Sequence, residues 1–254
     1  MMKLFLQKTK SRKRLPQYQP LKRRLKLKLT KKKLLVATQR KKKTPLPDSE
    51  EFLLDFSHYE NEARRMGYSH PAGIDEAGRG PLAGPVVASA CILPAGYHLS
   101  GLNDSKKLTP LQRKRFFEVL TQDPNVCIGI GIATHEEIDT VNVLEATKLA
   151  MCKAVDMLKP QPDFLLIDAV KLSEQPIPFL NLIKGDCRVQ AIAAASVIAK
   201  ETRDRIMDEY DVKWPMYGFG RHKGYGTEAH REAIKRHGPC PIHRKTFEPI
   251  KSMP

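Results

Sequence analysis

Two adjacent carboxylates, Asp75 and Glu76, are the residues of this sequence best placed to do chemistry. They end a short predicted strand and lead into Ala-Gly-Arg-Gly-Pro, whose small residues permit a sharp bend. Asp168 comes directly after the apolar residues of another predicted strand, and Asp186 follows a Lys-Gly turn before a long predicted helix. Ligand sites in open α/β sheets form beyond the carboxyl ends of the strands. We therefore expect the aspartates to share one edge if their strands are parallel neighbours.

Clustered carboxylates repel one another, and in isolation at least one of them would keep its proton. A bound divalent cation reverses that balance. Because oxygen ligands suit hard cations, the pattern predicts a Mg²⁺ or Mn²⁺ site. A single Asp at a strand end is commonly a turn residue or a helix cap, but four acids in such positions favour metal binding.

The elements predicted around these acids alternate between strand and helix. Strands are predicted over 73–76, 86–93, 126–133, 164–167 and 179–183, and helices from 48 to near 67 and over 110–121, 142–158, 190–210 and 230–237. Thr134 and Glu137 have capping-box spacing, and residues 214–227 are expected to form a Gly- and aromatic-rich loop. The alternation predicts an α/β fold whose sheet is covered by helices on both faces.

The charge of the chain is very unevenly distributed. Residues 1–47 hold 18 Lys/Arg and no Asp or Glu, whereas the other 207 residues hold 26 Lys/Arg and 28 Asp/Glu. The predicted organisation is a basic, disordered arm over 1–47 followed by a folded domain over 48–254. The basic pI belongs to the arm, which is a candidate for sequence-independent phosphate binding.

Cysteine usage and hydropathy indicate the cellular compartment in which the protein works. The five cysteines are scattered singly without a C-x-x-C pair, which argues against zinc ribbons and disulfide frameworks and favours a reducing compartment. No apolar run approaches the ~20 residues that a membrane-spanning helix needs. Lysines interrupt the N-terminal residues, so no secretory signal is predicted. We expect a cytoplasmic protein; the alternative is an organellar transit peptide, although the arm favours Lys over Arg and Ser.

Six segments, taken together, resemble the bacterial ribonuclease HII family. They are GIDEAGRGPLAGPVV (73–87), DSKKL (104–108), NVLEATKLAM (142–151), LLID (165–168), KGDCRVQAIAAASVIAKETRDR (184–205) and YGFGRHKGYGT (217–227). The resemblance implies a ribonuclease H-like mixed five-stranded sheet flanked by helices, with a C-terminal helical part over about 205–254. It also implies metal-dependent cleavage of RNA in RNA–DNA hybrids and at ribonucleotides embedded in duplex DNA, leaving 5′-phosphate and 3′-hydroxyl ends.

Carried over residue by residue, the resemblance places the active-site and metal-binding carboxylates on Asp75, Glu76, Asp168 and Asp186. Asp204 is a competing candidate for the fourth carboxylate. It lies inside the long predicted helix beside two arginines, which favours a structural ion pair. Two departures from the family pattern, Ala169 where many members have glycine and Cys187 where a small residue is usual, remove no ligand.

The resemblance also implies a set of substrate-binding residues. It assigns Gly78, Arg79 and Gly80 to the element that reads the RNA–DNA junction, and Tyr225 to ribonucleotide recognition. A residue without a β-carbon lets main-chain groups approach the 2′-hydroxyl, which distinguishes RNA from DNA. Arg79 is open to two roles, a substrate contact or pairing with a carboxylate, and we favour the first. By residue type, further candidates for phosphate contacts are Lys106, Lys107 and Lys184.

Two other functions stay open at this point. One is a non-catalytic nucleic-acid-binding module on a nuclease-like fold, and the other is a metal phosphoesterase that acts on DNA or small phosphate esters. Four intact carboxylates favour an enzyme that uses two metal ions roughly 3.5–4 Å apart. We expect a monomer whose partners are RNA–DNA hybrids and ribonucleotide-containing duplexes, with no membrane partner.

Overall fold

A mixed five-stranded sheet organises the residues that this computed structural model describes, 56–172 and 175–253. The strands are β1 (Pro71–Ala77), β2 (Val86–Ile92), β3 (Cys127–Ala133), β4 (Phe164–Asp168) and β5 (Phe179–Leu182). Their order across the sheet is β3-β2-β1-β4-β5. β1 is antiparallel to β2, as β2 is to β3, whereas β1, β4 and β5 run parallel to one another. The implied mixed α/β sheet is confirmed.

Seven α-helices surround the sheet in the same described part of the chain. They are α1 (His58–Arg65), α2 (Pro110–Gln122), α3 (His135–Val141), α4 (Val143–Asp156), α5 (Gln190–Lys213), α6 (Phe219–His222) and α7 (Glu228–His237). Short 3₁₀ turns lie at Gly185–Cys187, Pro215–Tyr217 and Ile250–Ser252. The capping box predicted from Thr134 and Glu137 is present at the start of α3. The predicted arm over 1–47 and the first part of the predicted 48–67 helix lie outside the described residues.

Two apolar clusters cover the two faces of the sheet, as the alternation of strands and helices predicts. One contains Ile74, Ala150 and Leu165, and α4 packs there against β2 and β3. The other is formed mainly by the alanine-rich start of α5 against β1 and β2. Gly73 of β1 allows this packing, because a β-carbon there would overlap the backbone of Ala191. This close approach fixes the start of α5 against β1.

The C-terminal helical part has its own apolar cluster, which includes Leu82, Met207, Phe219 and Ile234. Met207 lies on α5, so this part begins inside a helix that is continuous with the rest of the domain. The prediction of a loop over 214–227 is wrong in part, because a 3₁₀ turn and α6 lie within it. Glycines interrupt the helical spacing of apolar residues in this segment, so the pattern predicts no helix. Phe219 is fully buried, and its packing stabilises the helical turn.

Candidate active site

Parallel pairing of β1 with β4 brings two of the predicted aspartates to one edge of the sheet. The register pairs Ile74 with Ile167, so Asp75 and Asp168 are the next residues on the two strands. The third aspartate, Asp186, lies in the 3₁₀ turn that follows β5. The backbone N–H of Gly185, in the same turn, donates a hydrogen bond of 2.8 Å to Asp168 Oδ1. The turn and the end of β4 are thereby held together.

Electrostatic interactions link the four acids in pairs. Asp75 is only 6% exposed, and burial followed by the charge of Glu76 raises its pKa well above the usual value, with a further contribution from Asp168. Burial raises the pKa of Glu76, and Asp168 adds to it. Burial also raises the pKa of Asp186, with Asp104 and Asp168 contributing. Several like charges therefore converge in a partly desolvated place.

This set of donors fits a hard divalent cation. All four side chains offer carboxylate oxygens, the ligand type that such ions prefer. Glu76 Oε2 is buried and accepts no hydrogen bond from any residue in the described ranges. A buried carboxylate oxygen without a partner is costly unless something else satisfies it. Ser196 donates a hydrogen bond to Asp75, which fixes that side chain from the α5 side.

A fifth acid, Asp104, lies at the same place and was missed by the sequence analysis. Ligand atoms of Asp104, Asp186 and Cys187 all lie within 4.8 Å of one another. Asp104 is the first residue of the DSKKL segment, from which only the lysines were chosen because they are the usual phosphate-binding type. Its position within a segment shared with the family was the available signal.

The three predicted phosphate-binding lysines occupy different surroundings. Burial opposes charge on Lys106, but Asp75, Asp104 and other acids of the site outweigh it and raise the pKa of this lysine. Lys107 Nζ lies 3.2 Å from Cys187 Sγ. Lys184 is exposed and precedes the 3₁₀ turn that contains Asp186. All three are thus near the acids, with Lys106 directly among them.

Asp204 forms an ion pair, as favoured from the sequence, but with a different partner. Its Oδ1 lies 2.6 Å from Lys200 Nζ, one helical turn earlier on α5. The neighbouring Arg203 points elsewhere and donates hydrogen bonds to the carbonyls of Ala83, Pro85 and Lys223.

The Gly78–Arg79–Gly80 segment lies beside Tyr225. A β-carbon on Gly80 would lie 3.7 Å from Tyr225 Cε1, which is ordinary van der Waals contact. The Tyr225 side chain is 46% exposed, so its ring is accessible beside this segment. Arg79 Nη1 lies 3.2 Å from Glu76 Oε1, which corresponds to the carboxylate-pairing role, and its side chain is 42% exposed.

Arg244, near the end of the chain, supports this segment from inside and was not found from the sequence. Its side chain is fully buried and donates hydrogen bonds to the carbonyls of Gly78 (2.5 Å), Arg79 (2.8 Å) and Gly84 (3.0 Å). Burial lowers the pKa of Arg244 to about 9. A buried guanidinium bonded to carbonyl oxygens holds these peptide groups in a fixed orientation. A single arginine in a polar segment carries no sequence signal for this role.

A ribonuclease H-like sheet with acids at the ends of β1 and β4 defines the class of this protein: a metal-dependent nuclease of the ribonuclease H type. The sequence model of the ribonuclease HII family matches residues 72–250. The chain is 56% identical over 195 residues to ribonuclease HII of Chlamydia trachomatis serovar L2, covering 77% of this chain and 89% of the relative. It is 57% identical to ribonuclease HII of Acetivibrio thermocellus over 194 residues, covering 76% of this chain and 75% of that one.

Among solved structures, ribonuclease H2 from Pyrococcus horikoshii superimposes with a TM-score of 0.61 at 27% identity, covering 72% of this chain and 96% of the other. The chain belongs to the ribonuclease HII family and is an endonuclease of the hydrolase class. In the described residues, no helix is long and apolar enough to cross a membrane.

Proposed function

We propose that this protein cuts the RNA strand of RNA–DNA hybrids and also cuts at single ribonucleotides embedded in duplex DNA. The products carry 5′-phosphate and 3′-hydroxyl ends. The observation that supports this most directly is the convergence of four acids beside an accessible Gly–Arg–Gly segment and the ring of Tyr225. Acids for phosphodiester chemistry and a surface suited to a sugar thereby lie next to each other.

The residues proposed to hold Mg²⁺ or Mn²⁺ are Asp75, Glu76, Asp168 and Asp186. When bound, two such ions supply an activated water, neutralise phosphate charge and stabilise the leaving oxygen. Asp75 and Asp168 are held in place by Ser196 and by the Gly185 N–H, respectively. Glu76 keeps one oxygen free for a new partner. The acids therefore act as fixed ligands and need not carry protons.

The proposed recognition of the ribonucleotide uses peptide groups of the Gly78–Gly80 segment and the side chain of Tyr225. The 2′-hydroxyl is both donor and acceptor, so main-chain groups can identify it. The aromatic ring of Tyr225 offers an apolar face to the sugar, and its hydroxyl offers a hydrogen bond. Arg79 is half-exposed and can exchange its carboxylate partner for a substrate phosphate.

The remaining assignments concern the duplex and the arm. Lys106, Lys107 and Lys184 are proposed to contact phosphates around the acids and to position the duplex without reading its sequence. The arm over 1–47 is proposed to add sequence-independent affinity to the domain over 48–254. The protein is proposed to act as a monomer.

The test is cleavage of a DNA duplex that contains one ribonucleotide, with EDTA, Mg²⁺ or Mn²⁺ in separate reactions. We expect a cut at the ribonucleotide only when metal is present, and no cut in the matched all-DNA duplex. Intact substrate under every metal condition would leave a non-catalytic binding module as the better description. Strong cleavage of the all-DNA duplex would instead favour a general metal phosphoesterase.

A further inference from the structure

Two buried histidines in the C-terminal part, His230 and His243, form a hydrogen-bonded chain that ends on the backbone of Tyr225. The N–H of Cys240 lies 2.9 Å from His243 Nδ1, and His243 Nε2 lies 3.1 Å from His230 Nε2. His230 Nδ1 lies 2.9 Å from the carbonyl oxygen of Tyr225. Both rings are at most 1% exposed, so no competing solvent reaches them.

Only one arrangement of protons satisfies all three contacts. The Cys240 N–H can only donate, so His243 Nδ1 accepts and the ring proton of His243 is on Nε2. That proton is donated to His230 Nε2, which leaves the His230 proton on Nδ1 to be donated to the Tyr225 carbonyl. The Cys240 carbonyl also lies 3.2 Å from His243 Nδ1. If Nδ1 donated to it, the chain would reverse and His230 would present a lone pair to the Tyr225 oxygen.

The hydrogen-bonded chain requires neutral rings, since each ring must donate from one nitrogen and accept at the other. Burial lowers the pKa of both His230 and His243 to about 4, so both are neutral near pH 7. His222 stacks on His230 with ring centroids 4.3 Å apart, and its backbone carbonyl accepts the N–H of Tyr225 at 2.9 Å. The backbone of Tyr225 is therefore held on both sides, although glycines flank it.

We propose that the His230–His243 pair is a positioning device that fixes Tyr225 for reading the ribonucleotide. The proposal rests on the proposed function, in which Tyr225 contacts the sugar or base. Arg244, the residue after His243, holds the carbonyls of Gly78 and Arg79 in the segment beside Tyr225. His243 and Arg244 thus help to fix the two parts of the proposed ribonucleotide-binding surface, Tyr225 and the Gly78–Gly80 segment.

The experiment compares His230→Leu with His230→Asn and with Tyr217→Phe. Leucine removes the donor to Tyr225, whereas asparagine can restore an N–H near the position of Nδ1. Tyr217→Phe is the matched control, because it removes a buried 2.7 Å hydrogen bond to Gly238 in the same cluster but leaves the chain to Tyr225 intact. The measured quantity is the ratio of cleavage rates on a single-ribonucleotide duplex and on a continuous RNA–DNA hybrid.

We expect His230→Leu to lower this ratio by about 10-fold or more, since small misplacements of positioning groups have effects of this size. His230→Asn should recover most of the ratio, and Tyr217→Phe should leave it unchanged. An unchanged ratio in His230→Leu would overturn the proposal, as would an equal fall in Tyr217→Phe. If His230→Leu does not fold, His243→Leu interrupts the same chain and is judged by the same ratio.

Amide hydrogen exchange of residues 224–227 provides a measurement that is independent of activity. Exchange there should be faster in His230→Leu than in Tyr217→Phe, and equal rates would overturn the role of the histidine pair in holding the loop. If the wild-type protein cut no ribonucleotide substrate while exchange responded as expected, the proposed function would fail and the anchoring of Tyr225 would stand.

Discussion

Replacing Gly78 with alanine tests whether the segment after the first two acids is held by its own backbone geometry. Gly78 has a φ of +98°, a conformation that costs an L-residue about 1–2 kcal/mol. The new β-carbon would overlap Arg203 Nε and would lie 2.6 Å from the Pro85 carbonyl oxygen. Arg203 would have to move, and it donates to three backbone carbonyls. Losing one such charged hydrogen bond costs about 1.5–3 kcal/mol.

The two contributions add to about 2.5–5 kcal/mol of lost stability. For a domain of this size, each kcal/mol lowers Tm by about 2–4 °C, so Gly78→Ala should unfold about 5–20 °C below wild type. The assay is thermal unfolding followed by circular dichroism in EDTA, which removes any effect of bound metal.

Gly80→Ala is the matched control in the same segment. Gly80 is not in the left-handed region, and the nearest atom to its new β-carbon is Tyr225 Cε1 at 3.7 Å. We expect its Tm to change by less than about 2 °C, because surface substitutions away from strained positions rarely exceed about 0.5 kcal/mol. Cleavage at a single ribonucleotide should nevertheless slow, since the methyl group stands beside Tyr225. Equal Tm values for the two variants would refute the role assigned to Gly78.

Three further outcomes are expected. Asp75→Asn should abolish cleavage, and it should raise the Tm of the metal-free protein because it removes a buried charge that faces other acids. Asp204→Asn, the control, should keep most of the activity. Loss of activity in Asp204→Asn and not in Asp75→Asn would exchange the roles of the two residues. Deleting residues 1–47 should weaken duplex affinity at low salt and reduce its salt dependence, with a smaller effect on the rate of a single turnover. An unchanged salt dependence of affinity would show that the arm makes no phosphate contacts. Lowering the pH from 7 to 5 should cost the wild type more stability than it costs His243→Leu, because the acids of the site, whose raised pKa values favour the fold at lower pH, contribute equally to both proteins.

The sign of that pH effect follows from the two buried histidines. Their folded pKa of about 4 lies below the unfolded value of 6.5, so the unfolded state binds protons first and stability is lost as pH falls from 6.5 toward 4. The loss at pH 5 is about 2 kcal/mol for each histidine. The titratable groups facing the pair are His222, His135, Tyr217 and Cys240. Urea unfolding at both pH values measures the loss, which should be smaller in His243→Leu; an equal loss in that variant would contradict the assignment.

The order of strands and helices was available from the sequence because each element has a strong local signal. Apolar runs such as Phe164–Ile167 predict buried strands, and a capping pair such as Thr134 and Glu137 predicts a helix start. Motifs carried the family resemblance and with it the mixed sheet. The loop over 214–227 was predicted less well, because the burial of Phe219 that fixes its helical turn depends on distant residues.

The four acids could be selected from the sequence because each stands next to a strand end or a turn. Their meeting at one edge depends on the parallel register of β1 with β4 and on the turn that contains Asp186, and these are long-range pairings. The residues behind the site, Arg244 and the two histidines, were beyond sequence reasoning. Arg244 is some 160 positions from the carbonyls that it holds, and only the folded chain brings them within hydrogen-bonding distance.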